Sequence, residues 1–183
     1  LIFVSIILMT IIVFISSLFY YLYDLKYYAI EQKKYNVYQI FGEEKTINAS
    51  ENIVGFFKSE NELDSGFFNP DEISHLNDVK YLINKADISY ILCVILFIIC
   101  IAALYFINRK NILENVSIIL IYSGTLILIL LAVLSIIYYF VGFHFVFIKF
   151  HELFFTGNYA FDPSISNMKA LFPDEFFFDI SLA

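Results

Sequence analysis

Apolar and polar positions divide this chain into long blocks. Positions 1–22, 88–107 and 116–141 are apolar runs with no charged residue. Each exceeds the roughly 17–20 residues needed to cross a ~30 Å hydrocarbon core. The first is a retained span rather than a cleaved signal peptide. It is long, lacks a small-residue cleavage site and leaves the membrane through Phe19, Tyr20 and Tyr21. A fourth span is expected to start near Phe176, where Pro173 suits the first turn of a helix and Asp174 and Glu175 its positive end.

The short segment at 108–115 fixes an orientation. Arg109 and Lys110 are adjacent cations in a tiny loop, which places it in the cytoplasm. The polar segments 23–87 and 142–175 then both lie outside the cell. The first of them holds seven Lys against twelve Asp and Glu, an acidic balance compatible with export. The expected architecture is an all-α membrane protein. A single membrane domain, 1–183, forms a helical bundle of three to four transmembrane helices, with two extracytoplasmic helical segments packed on its outer face. The chain starts on Leu1 and stops as an apolar run begins, and we expect both ends to be trimmed relative to the gene product.

Within segment 23–87, Tyr20, Tyr21, Tyr23, Tyr27 and Tyr28 form an aromatic belt. Asn48-Ala49-Ser50-Glu51 resembles a capping box and predicts a short amphipathic helix behind it. Asn69-Pro70-Asp71-Glu72 is a clearer start: Asn caps, Pro takes the first helical position, and two acids complement the dipole. That helix presents Glu72, His75 and Asp78 at three-residue spacing, on one face. Either carboxylate could accept the Nδ1 proton of His75 and leave Nε2 for proton transfer. The competing reading is a solvated histidine on a surface helix.

Segment 142–175 opens with an aromatic-rich stretch in which Phe143, Phe147, Phe150 and Phe154 share a helical stripe. His144 and His151 fall on another face, seven residues apart. His144 reads as a side chain snorkelling at the membrane edge, and His151 as a functional candidate. Asn158 is a candidate donor to a carbonyl or oxyanion, and also an ordinary turn residue. Asp162-Pro163 can cap and start another short helix.

Composition narrows the function classes. The chain is 60% hydrophobic and 16% charged, against about half and about a quarter for a soluble domain. The net charge of −7 leaves no basic patch for nucleic acid. Cys93 and Cys100 lie in one apolar run and read as small fillers rather than a disulfide or metal pair.

Taken in order, Glu72-x-x-His75-x-x-Asp78-Val79-Lys80, then His151-Glu152-Leu153-Phe154-Phe155, Asn158 and Asp162-Pro163, then Phe172-Pro173-Asp174-Glu175-Phe176-Phe177 resemble the lipoprotein intramolecular transacylase family. These are small four-span membrane proteins of Gram-positive bacteria. The resemblance covers nearly the whole chain. It departs at Trp, absent here, where many relatives carry one shortly after the Asn; Tyr159 or Phe161 stands in that stretch.

The resemblance implies a substrate and a reaction. A membrane-anchored lipoprotein carries a diacylglyceryl thioether and a free α-amine on its N-terminal Cys. The sn-2 acyl chain moves from glycerol to that amine, giving the lyso-form. Ester to amide is downhill, so no cofactor is expected. The protein is expected to be a monomer in contact with membrane lipid and its lipoprotein substrate. His75 and His151 would handle protons across the substrate, with His151 favoured as base. Asp78 or Glu72 would orient His75, and Glu152, Asn158 and Asp162 are supporting candidates. Two other classes remain open: a metal-dependent membrane hydrolase using His75, His151, Glu72 and Glu152, and a non-enzymatic membrane subunit or sensor.

Overall fold

A computed structural model describes residues 1–155 and 159–182. Among these the chain is helical, with no strand. The helices are α1 (Ile2–Tyr23), α2 (Leu25–Lys34), α3 (Val37–Phe41), α4 (Glu43–Phe57), α5 (Pro70–Ile107), α6 (Ile112–Val141), α7 (Phe143–Phe154), α8 (Asn167–Leu171) and α9 (Asp174–Leu182). A 3₁₀ turn, Arg109–Asn111, joins α5 to α6. This is the expected all-α membrane fold, with three helices long and apolar enough to cross a bilayer.

The chain forms two compact units. The first comprises Leu1–Phe19 and Asn84–Gly142. Its apolar side chains mostly face outward, among them Leu92, Ile95, Leu96, Ile99, Ile121, Leu128 and Leu131. Such a surface is stable only in lipid. Small polar residues face inward instead. Ser5 is fully buried, and the Ser123 hydroxyl donates to the Ile6 carbonyl at 3.2 Å, tying α6 to α1. Lipid provides no hydrophobic drive between helices, so close approach at small residues and hydrogen bonds across helices take its place.

The second unit comprises Tyr20–Ile83 and the chain from Phe143 onward. Its core is aromatic and aliphatic: Tyr28, Val37, Ile53, Val54, Phe57, Phe68, Leu76, Leu171, Phe172 and Phe176 are all buried. Tyr28 stacks edge-on against Phe172 and Phe176, and its hydroxyl donates to the Leu22 carbonyl at 2.8 Å. Gln32 is buried too, and its amide donates to the Ser50 hydroxyl at 2.9 Å. Phe176 inserts into this core, so the first turn of α9 packs on protein.

Two local expectations change. The helix expected to begin near Asn48 begins at Glu43, so Asn48 and Ser50 are interior. Gly42 sits at φ +83°, where only glycine is unstrained, and it ends α3 and opens α4 at once. Ser50 bonds back to the Thr46 carbonyl at 2.9 Å instead of capping. Asp162-Pro163 opens a turn, not a helix. The next helix starts after Ser166, whose hydroxyl accepts from the Lys169 amide at 3.1 Å.

Candidate active site

The site lies within the second unit. Its first histidine is positioned by the start of α5. The Asn69 side chain accepts from the Glu72 amide at 3.0 Å, and the Glu72 carboxylate accepts from the Asn69 amide at 2.7 Å. This is a reciprocal capping box. Glu72 is fully buried, and its other oxygen accepts from the Ser166 hydroxyl at 2.5 Å and the Met168 amide at 2.9 Å. One carboxylate therefore caps α5 and fastens the start of α8 to it.

That arrangement leaves Glu72 without a bond to His75. Asp78, one turn further on, is exposed. The Nδ1 of His75 is buried and has no hydrogen-bond partner among the described residues. Neither flanking carboxylate bonds to it and fixes its tautomer, as the spacing had suggested. Burial, then the neighbouring His151, push the His75 imidazole down to about 4, and Asp78 only partly offsets them. His75 is neutral at physiological pH.

The second histidine sits on α7. His151 is buried, with its ring 4.2 Å from the ring of Phe147 one turn earlier. Its Nδ1 lies 2.7 Å from the Phe147 carbonyl oxygen. A carbonyl can only accept, so Nδ1 carries the proton and Nε2 keeps its lone pair. Burial holds the His151 imidazole below its ordinary range. The two rings stack at 5.9 Å with an interplanar angle of 21°. Phe155 packs on both, at 5.0 Å from His75 and 5.3 Å from His151. Phe161 covers His75, and Tyr159 covers His151.

Beside the pair opens a cavity of about 230 Å³. Its wall is almost wholly apolar, built from side chains such as Leu76, Val79, Phe147, Phe172 and Phe177. Into it reach His75, His151 and Lys169. An apolar chamber with a few convergent polar groups suits an amphipathic substrate.

The other sequence candidates lie elsewhere. Glu152 is exposed and pairs with Lys149 at 2.5 Å. The exposed Asp162 carboxylate accepts from the amide and hydroxyl of Ser164 at 2.9 Å and 2.7 Å, bonds that hold it below the usual carboxylate range. Asn158 lies outside the described residues. His144 is exposed, as expected, with Nδ1 3.3 Å from Asp174. Among the described residues no three His, Cys, Asp or Glu side chains converge on one point.

Sequence reasoning missed Lys169 and Ser166, and it placed Phe155 in the family motif without giving it a role. Ser166 and Lys169 stand in a short helix start that resembles many others. Phe155 is one Phe among 22.

A family model described as lipoprotein intramolecular transacylase Lit matches residues 1–177. The fold is similar to an in meso structure of the membrane integral lipoprotein intramolecular transacylase Lit from Bacillus cereus. That structure is 17% identical, with 99% of this chain and 85% of that chain covered and a TM-score of 0.79. A second structure from the same organism, with a histidine-to-arginine mutation, is 18% identical, with 98% and 80% covered and a TM-score of 0.78. No curated protein matches the chain in sequence. The match over nearly its whole length decides the family: this chain belongs to the lipoprotein intramolecular transacylases.

Proposed function

We propose that this membrane-integral transacylase moves the sn-2 acyl chain of a diacylglyceryl-cysteine lipoprotein onto the α-amine of the same cysteine, with His151 and His75 as its proton-handling pair. The observation that carries this reading is the stacked His75–His151 pair at the wall of an apolar cavity.

The chemistry needs proximity and two proton transfers. Amine and ester belong to one molecule, and holding them in attack geometry supplies effective molarities of about 10⁵–10⁸ M in good cases. The amine, with a pKa near 7.7–8, must be neutral to attack. His151 Nε2 is unprotonated and suited to take a proton from it. The amine nitrogen bonds to the ester carbonyl carbon, and an electron pair moves onto the carbonyl oxygen. As this intermediate collapses, the bond from carbonyl carbon to glycerol oxygen breaks, and the oxygen takes the proton that His151 Nε2 removed from the amine. Neutral His75 can donate one N–H as a hydrogen bond, either to that oxygen or to the oxyanion, while keeping its proton. The basic turn at Arg109 and Lys110 supports an extracytoplasmic site. The membrane lipid around the apolar helices and the lipoprotein's own acyl chains share one medium, which suits a monomeric enzyme.

The reaction is tested with purified full chain and a synthetic S-diacylglyceryl-cysteine peptide bearing a free amine. The expected product has unchanged mass, an N-acyl group by fragmentation and a single acyl chain left on glycerol. Free fatty acid with loss of mass would instead indicate a hydrolase.

A further inference from the structure

The proposed reaction leaves one charged group in the cavity wall unused. Lys169 lies on α8 and lines the same chamber as the two histidines. Its side chain is 21% exposed, and its ammonium sits 5.2 Å from the ring centroid of Phe147, the residue that also packs on His151. Asp174 of α9 pairs with it through one carboxylate oxygen, while the other faces Nδ1 of the exposed His144. The cation is thus held beside the chemistry by a carboxylate that it shares with His144.

We propose that Lys169 is a further catalytic residue of this transacylase, presenting a fixed positive charge to the reacting ester and amine. The proposal rests on the reading that His151 serves as base. A cation in an apolar chamber acts at two points. It favours the neutral amine over the ammonium, which is the form that attacks. It also stabilises the oxyanion formed when the amine nitrogen bonds to the ester carbon. The same charge opposes protonation of His151. The other groups facing His151 are His75 on α5, with Asp78 near it, Asp174 on α9 and the Tyr159 ring. Tyr28 on α2 also lines the chamber. Lys169 is the cation among them, and Asp174 the carboxylate that opposes it.

The competing possibility is that Lys169 merely clips α8 to α9 through Asp174. The two are separated by the pH profile of the purified full chain acting on the synthetic diacylglyceryl lipopeptide. Lys169→Met keeps the apolar stem and removes the charge. Its rate is expected to fall roughly 10- to 100-fold, with the acid limb moving up by roughly half to one pH unit. Lys169→Arg should keep the limb in place. Asp174→Asn removes the opposing charge and should move the limb down. A Lys169→Met enzyme with lowered melting temperature and an unmoved limb overturns the proposal. So do limbs that move the same way in Lys169→Met and Asp174→Asn. His151→Ala is measured alongside. If it keeps its rate, the histidine reading fails; if it is inactive while the Lys169→Met limb stays put, only the role of Lys169 fails.

Discussion

The Nδ1 proton of His151 is donated to the backbone carbonyl of Phe147, 2.7 Å away and one turn earlier on α7. The tautomer is therefore set by the helix that carries the histidine, and Nε2 is left as a base. His75, stacked against it, has no such partner on its buried Nδ1. The two histidines are thus not equivalent, although each is buried and each has its charged form disfavoured.

This burial predicts an acid-labile fold. A histidine that titrates near 6.5 when unfolded but near 4 when folded binds fewer protons in the native state between those values. Its contribution is fully present above pH 6.5 and is lost as pH falls toward 4. The loss from His75 is of order 3 kcal/mol, and His151 adds to it in the same direction. Thermal unfolding in detergent from pH 7.5 to 4.5 should show the midpoint falling below about pH 6.5. His75→Gln should flatten that fall.

Glu72 is predicted to matter through packing rather than by touching His75. Its buried carboxylate accepts from Asn69, Ser166 and Met168. Glu72→Ala leaves two buried donors, on Ser166 and Met168, and the more exposed Asn69 amide unpaired, and should cost about 3–5 kcal/mol. Proteolysis should then nick the chain between residues 162 and 171. Glu72→Gln keeps an acceptor and should cost less. Equal losses for both variants would argue for a charge-dependent role.

Glu152 is predicted to be dispensable despite its place next to His151. Its carboxylate is exposed and engages Lys149. Glu152→Ala should change stability by less than about 1 kcal/mol and leave lipopeptide turnover nearly unaltered. A loss of a hundredfold would place its carboxylate in the chemistry.

Much of the fold follows from local pattern. The apolar runs mark helices because only a helix satisfies its backbone groups within one segment in lipid. Asn69 and Pro70 mark the start of α5 because their cap geometry is local. That α5 runs unbroken to Ile107 follows from the absence of Gly and Pro after Pro70. The site was legible only in part. His75 and His151 stand out as rare ionisable residues near spans, but their stacking joins residues 76 positions apart and depends on tertiary packing. The same holds for Glu72. Spacing places it beside His75, whereas the unsatisfied amides at Asn69 and Met168 draw its carboxylate away. Lys169 carries no sequence signal, because its role depends on a chamber assembled from α1, α2, α4, α5, α7, α8 and α9.

The most direct measurement is turnover of the synthetic diacylglyceryl lipopeptide by purified His151→Ala and His75→Ala proteins that remain folded. Each is predicted to lose at least about 10²-fold in rate, the usual worth of a positioned proton donor or acceptor. Wild-type rates of lyso-form production in both variants would contradict a histidine pair as the proton-handling machinery.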